Sequence, residues 1–143
     1  MTHKTTQRFL FRALLGGLLL GSATVLAGVR AMSGQWEYVM TTDGQPEPRK
    51  TTACMSPAEA AAYNGDLATV RAYFEKKQRG PCKIKTIGVA GDTLSYLLDC
   101  GDRTIENKVT FHRDTSDGVT VAKTAAGKTQ TTHTKARRLG ACP

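Results

Sequence analysis

The chain has 143 residues, a formal net charge of +8 at pH 7, and only 6% aromatic residues. This length suits one domain with a modest core. So few aromatic side chains leave little with which to stack on bases, which argues against a nucleic-acid-binding protein.

The first 27 residues predict a cleaved signal peptide. Three basic residues precede an apolar run over residues 13–26. Small residues favour cleavage after Ala27, and a second site follows Ala31. An uncleaved anchor is the alternative, but the run is shorter than the roughly 20 residues that a spanning helix needs.

We therefore expect residues 28–143 to form a single small β-rich domain, exported to the periplasm and without a transmembrane segment after cleavage. Removal of three basic residues lowers the net charge from +8 to about +5. The basic excess lies late in the chain, which favours anionic partners such as a lipid or glycan surface, although a solvated sheet face has the same pattern.

The N-terminal part of this domain predicts two strands. Residues 33–42 alternate, with Trp36, Tyr38 and Met40 on one face, as in a half-buried strand. A turn over residues 43–46 leads to a returning strand over residues 49–54.

Two helices are predicted next. Ser56, Pro57 and Glu59 form a capping box that starts a short helix, and Asn64-Gly65 ends it. Asp66 caps a second helix that extends to residue 79. Its apolar stripe is typical of a surface that docks on a sheet. The stripe consists of Leu67, Val70, Tyr73 and Phe74.

After Cys82 the pattern predicts only strands and turns. The strands cover residues 83–89, 93–100, 103–113, 118–124 and 128–138, and the last, polar on both faces, suggests an exposed or edge strand. The predicted fold is mainly β (α+β): a curved, mostly antiparallel sheet of about seven strands or a partial barrel, with a helical segment packed on one face or end.

The four cysteines, Cys54, Cys82, Cys100 and Cys142, are even in number and no pair has C-x-x-C spacing. In an exported chain this predicts two disulfides. If the second helix crosses over the sheet, Cys82 pairs with Cys100 and Cys54 with Cys142. The alternative joins Cys54 to Cys82 and Cys100 to Cys142.

The sequence allows two registers for the hairpin between Cys82 and Cys100. A two-residue loop at Gly91-Asp92 pairs Val89 with Leu94, but places Cys82 one step away from Cys100. A three-residue loop, or one bulge, places the two cysteines directly opposite each other.

Several of these features together resemble a bacterial exported family, the domain of unknown function 3617. They are the Gly34-Gln35-Trp36-Glu37 opening, Cys54 before a capped helix, and the later cysteines with the ending RRLGACP. The resemblance covers residues 34–143 and implies a periplasmic location and a small β-rich domain, with no assigned activity.

The Gly34-Gln35-Trp36 motif also resembles the first strand of lipocalin-like barrels, in which a basic side chain stacks on the tryptophan. Arg137 or Arg138 would supply that side chain here. Trp36, Tyr38, Arg137 and Arg138 are therefore the candidate binding or structural residues, with a plain core role as the alternative for Trp36.

The sequence contains no complete catalytic motif. No G-x-S-x-G elbow and no glycine-rich phosphate loop is present, and we expect neither a catalytic residue, a metal nor a cofactor. The favoured function is a non-catalytic binding or accessory module for a small apolar or anionic ligand or an envelope partner. The alternative is a small envelope hydrolase or metal-dependent enzyme that uses His112 or His133.

Overall fold

A computed structural model describes residues 30–78 and 80–143. The elements, in chain order, are β1 (Gly34–Thr42), β2 (Arg49–Met55), α1 (Pro57–Tyr63), α2 (Leu67–Lys77), β3 (Lys83–Ala90), β4 (Thr93–Asp99), β5 (Arg103–Phe111), β6 (Thr115–Thr124) and β7 (Thr129–Gly140). The predicted signal peptide, residues 1–27, and the favoured cleavage site after Ala27 lie outside the described residues.

The strands form one antiparallel sheet in the order β2-β1-β7-β6-β5-β4-β3. Its edges, β2 and β3, do not pair with each other, so the sheet is not closed. The predicted mainly β fold with about seven strands and a helical segment is confirmed. Because six antiparallel pairings separate β2 from β3, these two strands run in the same direction, and the helices cross from one edge to the other.

The last strand was predicted to be an exposed or edge strand, and the edge position is wrong. β7 pairs with β1 on one side and β6 on the other. The burial of its residues alternates, but the contrast between the two faces is small. Ala136 is buried, whereas Lys135 and Arg137 are exposed on the opposite face. Polar residues, among them Thr132 and Thr134, take the other inward positions, so the pattern looks polar on both faces.

The core lies on the face of the sheet that the helices cover, hereafter the inner face. Alternate strand residues Trp36, Leu94 and Phe111 point there and pack with Val70 of α2. Of the predicted apolar stripe on α2, Val70 is 0% exposed, but Leu67 is 46% exposed, so the docking surface is narrower than predicted. The opposite face of the sheet, the outer face, carries the exposed strand residues.

Both helix starts follow the predicted caps. The Ser56 hydroxyl accepts a hydrogen bond from the Glu59 backbone N–H at 3.2 Å, and the Asp66 carboxylate accepts one from Thr69 N–H at 2.8 Å. Each bond satisfies a backbone donor that the first helical turn leaves without a partner.

The hairpin of β3 and β4 combines two alternatives that the sequence left open. Its loop is Gly91-Asp92, with Val89 opposite Leu94 as the two-residue loop requires. The register then shifts between Ile84 and Thr86, so that Lys83 lies opposite Asp99. This bulge at Lys85 supplies the one-residue correction that the cysteines need.

The structure contains the disulfides Cys82–Cys100 and Cys54–Cys142. This is the first of the two pairings that the sequence allowed. Because β2 and β3 run in the same direction, Cys54 and Cys82 lie at opposite ends of the sheet. Each disulfide therefore closes a different end.

The turn between β5 and β6 differs from the prediction. Ser116 and Asp117, which lie between the predicted strands 103–113 and 118–124, belong to β6, and β5 ends at Phe111. Ser116 lies between Phe111 and Ala136 in the sheet, so tertiary pairing overrides its turn preference. The chain reverses instead at Arg113, whose φ of 64° is left-handed.

Candidate functional site

A cleft opens between the inner face of the sheet and the two helices. Its volume is about 170 Å³. Six aromatic side chains line it: Trp36, Tyr38, Tyr63, Phe74, Tyr96 and Phe111. Leu94, Val109 and Met55 add apolar wall, so most of the lining is hydrophobic.

Strand alternation brings the sheet residues into the cleft. Trp36 and Tyr38 are two apart on β1, and Val109 and Phe111 are two apart on β5, so each pair shares a face. Leu94 and Tyr96 lie opposite Val109 and Asn107. The register of the sheet therefore collects one patch of apolar side chains from separate strands.

The helices complete the wall through aromatic packing. The Tyr63 ring, at the end of α1, lies 5.8 Å from the Phe74 ring of α2 and 5.8 Å from the Phe111 ring of β5, between centroids. The Phe74 ring lies 5.2 Å from that of Tyr96. These contacts attach both helices to the sheet beside the cleft.

Polar groups are few and lie on the sheet side. Asn107, Ser116 and Thr134 reach the cleft from three neighbouring strands. The Asn107 amide donates to the Thr120 hydroxyl at 2.6 Å, which fixes the orientation of the side chain. These groups can bind a polar atom of a ligand whose apolar part lies against the aromatic wall.

One carboxylate lies beside the aromatic wall of the cleft. Glu59 is one turn before Tyr63 on the same face of α1. The Tyr73 hydroxyl donates to the Glu59 carboxylate at 2.7 Å, and the Tyr73 ring lies 5.6 Å from that of Tyr63. Glu59 is half-buried among these tyrosines.

The tyrosines around the cleft titrate above their ordinary value. Burial raises the pKa of Tyr96, and burial together with the negative charge of Glu59 raises the pKa of Tyr38 and Tyr63. Burial and the hydrogen bond to Glu59 raise the pKa of Tyr73 to about 12. All four side chains are therefore neutral at pH 7.

The structure separates the four candidate binding or structural residues. Trp36 is 1% exposed, its indole N–H donates to Met32 C=O at 2.9 Å, and its ring closes the deep end of the cleft. Tyr38 also lines the cleft. Arg137 lies on the outer face, where it donates to Glu37 at 2.8 Å.

Arg138 lies next to Trp36 across the β1–β7 pairing, but its guanidinium donates to Ser33 C=O at 2.7 Å. Among the described residues, the cation–π contact is that of Lys77 with the Tyr73 ring, at 5.7 Å from the centroid. The sheet is also open, whereas a barrel is closed. The chain therefore shares only the Gly34-Gln35-Trp36 motif with lipocalin-like barrels.

Both candidate histidines lie away from the cleft. His112 and His133 are exposed, and His112 Nε2 lies 3.6 Å from an Asp117 carboxylate oxygen. Within residues 30–78 and 80–143, no three His, Cys, Asp or Glu side chains come together as a metal ion requires. The part of the chain that the structure describes contains no helix long and apolar enough to cross a membrane.

The family model described as Protein of unknown function (DUF3617) matches residues 31–142. The chain belongs to the DUF3617 family. The DUF3617 match contains every residue that lines the cleft and all four disulfide cysteines. No curated protein and no solved structure is significantly similar to the chain.

Sequence reasoning missed most of the residues around the cleft, namely Glu59, Tyr63, Phe74, Tyr96, Asn107 and Phe111. A signal was present in the composition. All seven aromatic residues between positions 30 and 143 either line the cleft or, in the case of Tyr73, pack against its wall. Aromatic residues that are this scarce and that all gather on one side of the sheet, from the strands and from the helices above it, indicate a common surface.

Proposed function

We propose that the chain is an exported, non-catalytic binding module that takes a small, largely apolar molecule into the cleft. The observation that carries this proposal is the aromatic-lined cavity of about 170 Å³. Protein cores are normally packed without such gaps. The amide of Asn107 and the hydroxyls of Ser116 and Thr134 lie on the sheet side of the cleft, which gives a ligand a defined orientation.

The size of the cavity limits the ligand. A cavity of about 150 Å³ holds a benzene molecule. Sites for drug-sized molecules are larger, roughly 300–1,000 Å³. We therefore expect one ring or a short branched alkyl group to enter between Trp36 and Phe74, with any remainder extending past Thr134 at the sheet side.

The cysteines support the exported part of the proposal. Two disulfides indicate an oxidising compartment. Together with the basic and apolar leader of the sequence, this favours the periplasm.

Trp36 provides a direct test because it is the only tryptophan and lines the cleft. We would titrate the purified protein with tert-butylbenzene and follow Trp36 fluorescence. The expected result is a saturable change. The absence of saturable binding would refute a cleft for small apolar molecules.

A cavity-filling variant tests where the ligand binds. A Cβ added at Gly118 would lie 3.6 Å or more from its nearest neighbours, so the position accepts a methyl group, and Gly118 itself lines the cleft. Gly118→Ala places this methyl group in the space that the ligand occupies and should weaken tert-butylbenzene binding about tenfold, an energy of about 1.4 kcal/mol. The control is Val119→Ala, on the outer face of the same strand. Equal binding in both variants would place the ligand elsewhere.

A further inference from the structure

The residues that line the cleft carry no charged side chain. Beside its wall, the Arg30 guanidinium donates to three backbone carbonyls and Lys77 Nζ lies over the Tyr73 ring. The Glu59 carboxylate accepts a hydrogen bond from Tyr73, and among the described residues no basic side chain lies within 4.0 Å of it. A cationic group next to Tyr63 can therefore pair with a carboxylate that has no ion-pair partner.

The basic residues that suggested an anionic ligand are elsewhere. Lys108, Lys135 and Arg137 project from the outer face of the sheet, and Arg137 is paired with Glu37. They do not line the cleft. The basic excess of the C-terminal half therefore provides no partner for an anion bound between the sheet and the helices.

The aromatic wall also favours a cation. The face of an aromatic ring carries a partial negative charge, and several rings around one space attract an ammonium group. The chain contains its own example beside the cleft: Lys77 Nζ lies over the Tyr73 ring, 5.7 Å from the centroid. Tyr73 is also the residue that hydrogen-bonds Glu59.

We infer that the ligand of the cleft is a small organic cation, a molecule whose ammonium group lies among Tyr38, Tyr63 and Glu59 while its apolar part lies against Trp36 and Phe111. This inference rests on the proposed function, since it names the chemistry of the molecule that the cleft takes. The carboxylate supplies the charge attraction, and the rings replace the water that a bound ammonium group loses.

The test compares two ligands of similar size and opposite charge. Phenyltrimethylammonium and benzenesulfonate each carry one phenyl ring and one compact charged group. Both would be titrated against the protein in low-salt buffer and followed by Trp36 fluorescence. We expect the cation to bind at least about tenfold more tightly than the anion, and added salt to weaken its binding.

A variant pair assigns the effect to Glu59. Glu59→Gln removes the charge but keeps an oxygen that can accept the Tyr73 hydrogen bond. Glu75→Gln removes an equal charge from an exposed position on α2, where Glu75 pairs with Arg71 at 3.7 Å. Glu59→Gln should weaken binding of the cation about tenfold, while Glu75→Gln should leave the binding of both the cation and tert-butylbenzene unchanged.

The outcomes separate this inference from the proposed function. If tert-butylbenzene binds but the cation binds no better than the anion, or binds equally to Glu59→Gln, the inference is wrong and the apolar cleft remains. If none of the three ligands binds saturably, both are wrong. Preferential binding of benzenesulfonate would overturn the inference and restore the anionic ligand.

Discussion

The side chain of Asn64 holds the backbone of Ala31 at two points. Its carbonyl oxygen accepts from Ala31 N–H at 3.0 Å, and its amide donates to Ala31 C=O at 2.8 Å. The same oxygen accepts from Arg30 N–H at 2.6 Å. The Asn64 side chain thus hydrogen-bonds the backbone of Ala31 as a neighbouring strand would. These bonds fix the start of the domain to the end of α1.

Asn64→Ala should lower the free energy of unfolding by about 1–3 kcal/mol, because it leaves half-buried backbone groups of Arg30 and Ala31 without partners. Asn64→Asp keeps the acceptor and loses the donor, so it should lie between Asn64→Ala and the wild type. Urea unfolding at pH 7 measures both. An unfolding midpoint unchanged in Asn64→Ala would show that the segment is held by other contacts.

If the leader is cleaved as proposed, the contacts of Arg30 distinguish between the two candidate cleavage sites. Its guanidinium donates to the carbonyls of Tyr63, Gly65 and Gly91 at 2.7–2.9 Å, and the residue is 6% exposed. Cleavage after Ala31 would remove these bonds, each worth about 1.5–3 kcal/mol when the donor is charged. We propose cleavage after Ala27.

Chains of residues 28–143 and 32–143 test this directly. The longer chain should be more stable by about 3 kcal/mol or more in urea unfolding, and the mature protein from the periplasm should begin at Gly28 by mass spectrometry. Equal stability of the two chains, or a mature protein that begins at Met32, would contradict the prediction.

The two disulfides should contribute unequally. Cys54–Cys142 spans 88 residues and Cys82–Cys100 spans 18. The loss of chain entropy in the unfolded state predicts about 4.6 and about 3.2 kcal/mol, respectively. The double variants Cys54→Ser/Cys142→Ser and Cys82→Ser/Cys100→Ser, compared by urea unfolding, should rank in that order. The reverse order would indicate structure that persists in the unfolded chain.

Gly34 and Gly44 form a matched pair of left-handed glycines. Their φ values are +138° and +79°, but a Cβ at Gly34 would collide with the Gly140 carbonyl oxygen, whereas one at Gly44 meets nothing within 4 Å. Gly44→Ala should cost about 1 kcal/mol, and Gly34→Ala at least about 2 kcal/mol more because the backbone of β7 must move. Thermal unfolding of the two variants measures the difference; similar melting temperatures would contradict it.

Alkaline pH should unfold the domain through its tyrosines. Each of the four has a folded-state pKa above 10.0, so the folded chain holds more protons than the unfolded chain above that pH. Their contribution to stability is therefore complete below pH 10 and is lost as the pH rises through the folded pKa values, about 12 for Tyr73.

Tyrosinate absorbance, measured against pH with and without urea, checks this expectation. Ionisation of the native protein should be delayed relative to the unfolded protein. Tyr63→Phe keeps the ring and removes one titrating hydroxyl, so its free energy of unfolding should fall less steeply with pH. Coincident titrations with and without urea would contradict the raised pKa values.

Local patterns in the sequence predict most of the helices and strands, but they do not predict which strands pair with each other. Alternation predicts β1, and the Ser56 and Asp66 caps predict both helix starts, since these signals act within a few residues. β7 was placed wrongly because position in a sheet depends on a partner about 100 residues away. Ser116 and Asp117 have turn-forming side chains, and their place in β6 depends on pairing with β5 and β7 rather than on their own preference.

The candidate site was predictable only in part. Trp36 and Tyr38 could be identified from their alternation on β1. Tyr63 and Phe74 reach the same cleft only because α1 and α2 cross the inner face, a path that short patterns do not encode. Glu59 was recognised as a capping residue, and its position beside Tyr73 depends on how the two helices pack.

The disulfides are nested, since Cys82 and Cys100 both lie between Cys54 and Cys142 in the chain. A protease that cuts once between residues 54 and 142 therefore releases no fragment, because the two pieces remain joined through sulfur. In an oxidising compartment that contains proteases, a nicked molecule would keep its mass apart from one added water and would separate into pieces only on reduction. Exposed loops such as the one at Gly127 can thus be cut without loss of the strands that they connect.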